Sequence, residues 1–272
     1  MWAQRKPGPP LNAFVKVIWV YEGYAPATPL ERILPDGGVE LVVPLTGPVS
    51  RFGTRASDCI DASVTGGVVC GPHLHSFLID TSQPETVAGI HFWPGGAFPF
   101  FREPTGELLN QHVALEDLWG HSAAWLCEQL LSAPALEDRL TILEEALVGQ
   151  LARPMRRHEA VRFALRQFSD CERLRTVAEV TEQIGMSARC FIEAFRNEVG
   201  MTPKAYCRVR RFQRIIRRAW GRDEVDWAAV ASECGYYDQA HFIHDFKSFC
   251  GLTPTVYLAQ RGRHPSHVPV QT

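Results

Sequence analysis

The sequence predicts a two-domain α+β chain: a small β-barrel or sandwich followed by helices, then an all-α second half. Three observations predict it. Residues 191–206 (F-I-E-A-F-R-N-E-V-G-M-T-P-K-A-Y) recur 51 positions later as residues 242–257 (F-I-H-D-F-K-S-F-C-G-L-T-P-T-V-Y). Phe191, Ile192, Phe195, Gly200, Thr202, Pro203 and Tyr206 return as Phe242, Ile243, Phe246, Gly251, Thr253, Pro254 and Tyr257. A fixed period marks a duplicated supersecondary unit. Second, roughly the first 95 residues alternate apolar and polar positions between Gly/Pro breakers, the signature of short strands. Third, 272 residues suit two domains of ordinary size.

Bulk composition narrows the class. A hydrophobic content of 46% with 21% charged residues describes a soluble globular protein. No apolar run approaches the ~20 residues that span a bilayer. The start, M-W-A-Q-R-K-P-G-P-P, has no apolar signal core. The expectation is a cytoplasmic protein with no membrane partner. The eight cysteines (Cys59, Cys70, Cys127, Cys171, Cys190, Cys207, Cys234, Cys250) include no C-x-x-C pair. They read as reduced thiols, buried where they fall in the C-terminal helices. No cofactor is expected. Charge is uneven: residues 1–157 carry a net −6 and residues 158–272 a net +4. Only the second half suits a polyanion.

In chain order, Phe14–Tyr21 reads as a strand, and Leu30–Leu34 as another. The turn Pro35-Asp36-Gly37-Gly38 follows, with Val39–Leu45 as the hairpin partner. Val68–Cys70, Leu74–Ile79 and Val87–Trp93 complete the strands, and Pro94-Gly95-Gly96 closes the region. Helices are expected at Ala97–Arg102, Thr105–Leu109, Leu115–Trp119, Ser122–Leu131 and Leu136–Leu151. In the last, Leu136, Leu140, Leu143, Leu147 and Leu151 form one stripe. It is either a homodimer seam or, the favoured reading, a face packed on its own domain. Arg153-Pro154-Met155-Arg156-Arg157 breaks this helix, so the front domain is placed at 1–152 and the back domain at 158–261. Residues 262–272 are polar with two prolines and read as a disordered tail.

The back half opens with a helix from about 158 to 169, with Val161, Ala164, Leu165 and Phe168 on one face. Thr176–Ile184 is an amphipathic helix, Gly185 stops it, and Ser187 caps the next, which buries Phe191 and Phe195. Helix, short turn, helix is a helix-turn-helix. The second copy repeats the parts: Trp227, Val230 and Cys234 inward, Gly235 as stop, a turn one residue longer through Tyr236-Tyr237, and Asp238 as cap. The faces left outward are Ala188, Arg189, Ile192, Glu193 and Arg196 in the first unit. In the second they are Gln239, Ala240, Ile243, His244 and Lys247. A helix-turn-helix offers such a face to the DNA major groove. Thr202-Pro203 opens a bridging helix that carries eight basic residues between Lys204 and Arg222 and no acidic one. Arg211 stands for these as a phosphate contact. Two reading helices about one DNA turn apart, ~34 Å, would enter successive major grooves of double-stranded DNA.

These residues resemble the AraC/XylS-type transcription regulators. The likeness rests on Gly185-Met186-Ser187, Arg189, Phe191, Phe195, Gly200 and Thr202-Pro203. In the second unit it rests on Ala231, Gly235-Tyr236, Asp238-Gln239, His241-Phe242, Phe246-Lys247, Gly251, Thr253-Pro254 and Tyr257. It covers about residues 158–261. The resemblance implies a sequence-specific DNA-binding regulator with a double helix-turn-helix. It also implies a small-molecule effector acting through the N-terminal domain, and RNA polymerase as a partner where the chain activates. Glu193 and His244 stand where the family often carries arginine, and Thr181 where it carries a small alanine. The first 150 residues resemble an uncharacterised sensor-type domain through Arg32–Gly37, Gly89–Ala97 and Leu118-Trp119-Gly120.

The front domain admits one other reading. His73 and His75 stand as H-x-H, which on a strand puts both rings on one face, as metal binding needs. His91, Asp80 or Glu85 would supply a third ligand. That makes a metal-dependent cupin-like enzyme with a DNA-localising module the alternative function, with His73, His75 and His91 as weak candidates. No nucleophile elbow, P-loop or dinucleotide glycine pattern is present, so the expectation is not an enzyme.

Overall fold

The computed structural model describes residues 1–26, 28–47, 51–52, 66–82, 85–169, 175–262 and 264–270. The strands are β1 (Trp2–Arg5), β2 (Val15–Tyr24), β3 (Leu30–Ile33), β4 (Glu40–Pro44), β5 (Arg51–Phe52), β6 (Val68–Cys70), β7 (Phe77–Asp80), β8 (Glu85–Phe92), β9 (His112–Ala114) and β10 (His267–Pro269). They form a six-stranded sheet, β1-β2-β8-β4-β6-β9, and a four-stranded sheet, β10-β3-β7-β5. All pairings are antiparallel.

The expected hairpin of Leu30–Leu34 with Val39–Leu45 does not form. β3 pairs with β7 and β10, whereas β4 pairs with β6 and β8. The turn at Asp36–Gly38 carries the chain from one sheet to the other instead of folding it back. Gly38 lies so close to the Phe92 carbonyl that a Cβ there would sit 2.8 Å from it. Alternation along β4 sorts its side chains between two layers. Leu41 and Val43 join the main core with Ile18, Val20, Ile90 and Phe92, while Val42 faces a smaller cluster with Val68, Cys70 and Val87. Trp19 packs on that second face and fits because its partner in register is Gly89. A Cβ at Gly89 would stand 2.4 Å from the indole.

The helices α1 (Leu115–Trp119), α2 (His121–Ser132) and α3 (Leu136–Gly149) cover the main core. The two helices expected at 97–102 and 105–109 are single 3-10 turns, Phe98–Phe100 and Thr105–Leu108. Trp119 Nε1 donates to the Phe100 carbonyl at 3.0 Å and ties α1 to the first of them. In the leucine stripe, Leu140, Leu143 and Leu147 are fully buried in this core. Each contributes about 1.5–3 kcal/mol there, so the stripe serves its own domain rather than a seam.

The back half is helical: α4 (Glu159–Ser169), α5 (Val177–Ile184), α6 (Ala188–Val199), α7 (Pro203–Ala219), α8 (Trp227–Glu233), α9 (Gln239–Cys250) and α10 (Pro254–Gln260). Its core is aromatic, and the duplication is visible in it. Phe191–Phe195 and Phe242–Phe246 both have ring centroids 5.8 Å apart, at 67° and 65°. Phe195–Tyr206 and Phe246–Tyr257 repeat at 5.6 and 5.7 Å. Edge-to-face contacts of this kind fix ring positions beyond what area burial requires. Of the four cysteines expected to fill small apolar sites here, Cys234 and Cys250 are buried and Cys207 is half-buried. Cys190 is exposed, because it lies beside Phe191 on the outer turn of α6. Burial raises the Cys250 thiol to about 12 and the Cys207 thiol to about 11, which keeps both protonated. Cys59 and Cys171 lie outside the described residues.

The two halves touch through the duplicated G-x-T-P turns. Gly200 (φ +88°) lies under Pro72 and Thr105, and Gly251 (φ +75°) lies under Arg32 and Ser76. The Ser76 backbone N–H donates to the Phe249 carbonyl at 2.9 Å, and its Oγ donates to the Cys250 carbonyl at 3.1 Å. Gln213 of α7, buried, donates to the Pro35 carbonyl at 2.6 Å. Arg157 in the linker donates to the carbonyls of Ala13, Pro94 and Gly95 and covers the Phe14 ring. The described residues of the expected disordered tail depart from that expectation: His267–Pro269 is β10, paired with β3. The sequence hid this because a three-residue edge strand that ends in a proline carries no alternation to read.

Candidate nucleic-acid interface

The first reading unit is α5 and α6, and the second is α8 and α9. Local chemistry sets their ends. Thr176 and Glu179 form a reciprocal capping box at α5, and Gly185 ends it in the left-handed region at φ +71°. Ser187 Oγ accepts from the Cys190 N–H at 3.3 Å, and Asp238 Oδ1 accepts from the His241 N–H at 2.7 Å. These two caps start the reading helices α6 and α9 at corresponding places. Thr202 and Thr253 cap the helices that follow, with proline at the first helical position of each.

With the phenylalanines inward, Ala188, Arg189, Ile192 and Glu193 are exposed on α6. Gln239, Ala240, Ile243, His244 and Lys247 are exposed on α9. Ile192 and Ile243, the repeated apolar pair, keep 40% and 38% of their surface in water. Two large aliphatics thus stay outside the core at equivalent places on the two helices. Arg196 belongs to the same row but is drawn elsewhere. Its guanidinium lies 3.9 Å from Glu107, and its stem packs on Gly106 in the front half.

The bridging helix α7 lines a cleft of about 700 Å³ between the two units. Arg175, Lys204, Arg208, Arg211, Arg214 and His241 surround it. Arg175 was not singled out from the sequence, and His241 only as part of the family pattern, not as a contact; both enter because the α5 and α9 starts face α7. Not every cation on α7 is available to DNA. Arg208 is ion-paired with Asp245 of α9, a carboxylate only 3% exposed, and Arg218 with Glu233. The Tyr236 hydroxyl donates to the second Asp245 oxygen at 2.9 Å. Arg211 lies over the Tyr236 ring, 4.9 Å from its centroid, which orients it at the cleft, and it forms no ion pair among the described residues. Burial, then the Asp245 charge, push the Tyr236 hydroxyl far above its usual range, which keeps it a donor.

The three histidines weighed for metal are not brought together. The H-x-H pair lies in a loop ahead of β7, so strand geometry does not put its rings on one face. His75 Nδ1 turns outward to the Ser248 carbonyl at 2.9 Å. His73 forms a triangle of tilted rings with Phe77 and His112, with centroids 4.6 and 4.7 Å from its own. His91 Nε2 is 2.9 Å from Asp36, and its Nδ1 is 3.7 Å from Glu40. Among the described residues no group of three or more His, Cys, Asp or Glu side chains could hold a metal ion.

Comparison with known proteins agrees with this geometry. Residues 180–260 match a family model described as a helix-turn-helix domain, and residues 3–114 match a domain of unknown function, DUF6597. No curated protein matches the chain. Among solved structures, the 1.65 Å structure of ToxT from Vibrio cholerae aligns at a TM-score of 0.47 and 11% identity, covering 95% of this chain and 98% of that one. Apo ToxT K231A from V. cholerae strain SCE256 aligns at 0.46 and 12%, covering 89% and 97%. Unsaturated fatty acid bound wild-type ToxT from the same strain aligns at 0.44 and 11%, covering 88% and 93%. Two capped helices, joined by a basic bridge and matched by that family model, make residues 180–260 a helix-turn-helix domain, the kind of module that offers a helix face to the DNA major groove.

Proposed function

We propose that the chain reads an asymmetric DNA site in two successive major grooves, through Ala188, Arg189, Ile192 and Glu193 of α6 and Gln239, Ala240, Ile243, His244 and Lys247 of α9. The observation that carries this reading is the repetition of cap, inward phenylalanines and outward isoleucine on two helices joined by α7. Glu193 suits a cytosine N4 donor, and Arg211 with its neighbours in the cleft suits the intervening phosphates. Arg196, engaged with Glu107, leaves the reading set. Footprinting on DNA upstream of the protein's own gene tests the proposal; folded protein that protects no site at moderate salt would overturn it. Arg211→Ala is expected to weaken specific and random DNA alike and to flatten the log–log salt slope by about one. Glu193→Ala is expected to change base preference instead, by about 1–3 kcal/mol at one position. Equal, sequence-blind losses in both variants would dismiss this division of roles.

The front half, in this reading, is the effector-responsive part. What supports it is that the front half seats both G-x-T-P turns, so a ligand that moves it moves both reading units together. A small-molecule screen by thermal shift on the whole chain tests this; a ligand that raises the melting temperature without altering DNA affinity counts against it. A cytoplasmic location follows from reading DNA, and among the described residues no helix is long and apolar enough to cross a membrane. Contact with RNA polymerase belongs to an activator and is read by transcription in vitro. A homodimer is read by sedimentation.

A further inference from the structure

The segment after α10 leaves the DNA-binding half and joins a sheet of the other half. β10 runs antiparallel to β3, with His267 opposite Ile33, Val268 opposite Arg32 and Pro269 opposite Glu31. The Leu34 N–H donates to the Ser266 carbonyl at 2.9 Å, and the Val270 N–H donates to the Leu30 carbonyl at 3.0 Å. Without this segment β3 would be an open edge, a row of unpaired donors and acceptors. The residues of the segment suit that edge. Pro269 falls at a position between hydrogen-bonded pairs, where its missing N–H would point away from β3. A proline there also blocks a further strand.

Side chains anchor it on both faces. Val268 is 1% exposed and joins the aromatic core of the DNA-binding half, together with Leu34 of the front half. On the other side, His267 Nδ1 lies 3.2 Å from Glu31, which also accepts from the Tyr24 hydroxyl at 2.5 Å. At the start of the segment the fully buried Tyr257 donates to the Pro265 carbonyl at 3.1 Å. The segment therefore contributes one residue to the back core and one strand to the front sheet.

We propose that the edge of β3 is a strand-docking site, that the chain's own segment His264–Val270 fills it, and that this contact latches the second reading unit onto the front half. The occupant follows from continuity: the segment begins four residues after the end of α10, and Gly262 already touches Pro269, with room for a Cβ only 3.0 Å from the ring. The second unit is held at two places: the end of α9 with the Gly251 turn, against Arg32, His75 and Ser76, and this strand. Releasing the strand leaves the turn alone, and the turn then opens more often.

Hydrogen exchange separates a latch from a mere edge cover. In a chain ending after Gly262, the Leu34 amide loses its acceptor and exchanges faster whatever the role of the segment. The Ser76 amide, bonded to Phe249 and untouched by the segment, reports the latch. It is expected to exchange at least about tenfold faster. A synthetic peptide of residues 263–272 is expected to restore both amides. Unchanged Ser76 exchange, or a peptide that restores neither amide, would overturn the proposal. Should the shortened chain fail to fold, Glu31→Gln keeps the volume and weakens the hold on His267, together with the bond from the Tyr24 hydroxyl within the front sheet. It is expected to speed Ser76 by a smaller factor, and no change there has the same force. Leu34 protection that falls on dilution of the intact chain would assign the strand to a second copy and overturn the docking in cis. DNA affinity is not among these readouts, so the outcome is independent of the DNA-reading proposal.

Discussion

Asp245→Ala is expected to lower stability by about 3 kcal/mol and to loosen α9 from α7, with DNA affinity falling as a consequence. Asp245 is 3% exposed and accepts on both oxygens, from Arg208 Nε at 3.0 Å and from the Tyr236 hydroxyl at 2.9 Å. Removing one partner of a buried pair costs about 3–5 kcal/mol, because the other charge is left desolvated. Here the lower end applies, since 44% of the Arg208 side chain meets water and can rehydrate. The Tyr236 hydroxyl is less fortunate; its residue is 6% exposed, and an orphaned buried donor costs about 1–3 kcal/mol. Asp245→Asn keeps an acceptor for one partner and is expected to lose about half as much. The decisive comparison is Asp245→Ala with and without Tyr236→Phe. Restoring about 1 kcal/mol by deleting the hydroxyl assigns the cost to the unsatisfied donor. Denaturant midpoints that shift by less than about 1 kcal/mol in Asp245→Ala would show the network to be solvated and the account wrong.

The same aspartate shows where sequence reading stops. Its neighbours Phe242 and Phe246 were legible, because each copy confirms the other and i, i+4 aromatics declare an inward face. Nothing local declares that Asp245, on the flank of that face, will bury itself against Arg208 from 37 residues earlier. The caps were legible for a related reason: Ser187, Asp238, Thr202 and Thr253 bond within three residues of themselves. In the front half, alternation revealed most strands but not their partners. Pairing is a non-local choice, and the Pro35–Gly38 stretch reads as a hairpin turn although its backbone switches sheets. β9 and β10, three residues each, were missed because so short a strand has no period. Arg196 was placed on the reading face by spacing that is correct. Glu107 and Gly106, which claim it, lie about 90 residues upstream.

His91 and Asp36 should make stability fall as pH rises from about 6.5 to 9. Burial alone would lower the His91 pKa, but the Asp36 charge 2.9 Å away, the hydrogen bond to Asp36 and the nearby Glu40 carboxylate outweigh it. Together they raise the imidazole to about 9. Burial would likewise raise Asp36, yet His91 and Lys16, 3.9 Å away, hold it well below the carboxylate range. A histidine raised in the folded state contributes fully below its unfolded value near 6.5, and the contribution disappears as pH climbs through about 9. The depressed aspartate contributes above its unfolded value near 4 and loses that only in acid. The pair therefore stabilises most between about pH 4 and 6.5. About 2–3 kcal/mol should be lost by pH 9, the smaller figure reflecting the water that reaches a fifth of the His91 side chain. Asp36→Asn keeps an acceptor for the Gly38 N–H but removes the charge, so His91 returns toward its ordinary value and the alkaline slope flattens. Denaturant unfolding of both proteins at pH 6, 7.5 and 9 reads this directly. Parallel slopes in the two would mean that another group titrates there and that His91 is not held charged. The consequence reaches the DNA-binding half through the same turn: Pro35, next to Asp36, accepts from Gln213 of α7, and Gly37 packs on Tyr206 and Val209. Losing the Asp36–His91 pair should therefore loosen the seat of the bridging helix as well as the front sheet. The Gln213 side-chain amide is expected to lose its exchange protection in Asp36→Asn at pH 6, where the intact chain keeps it.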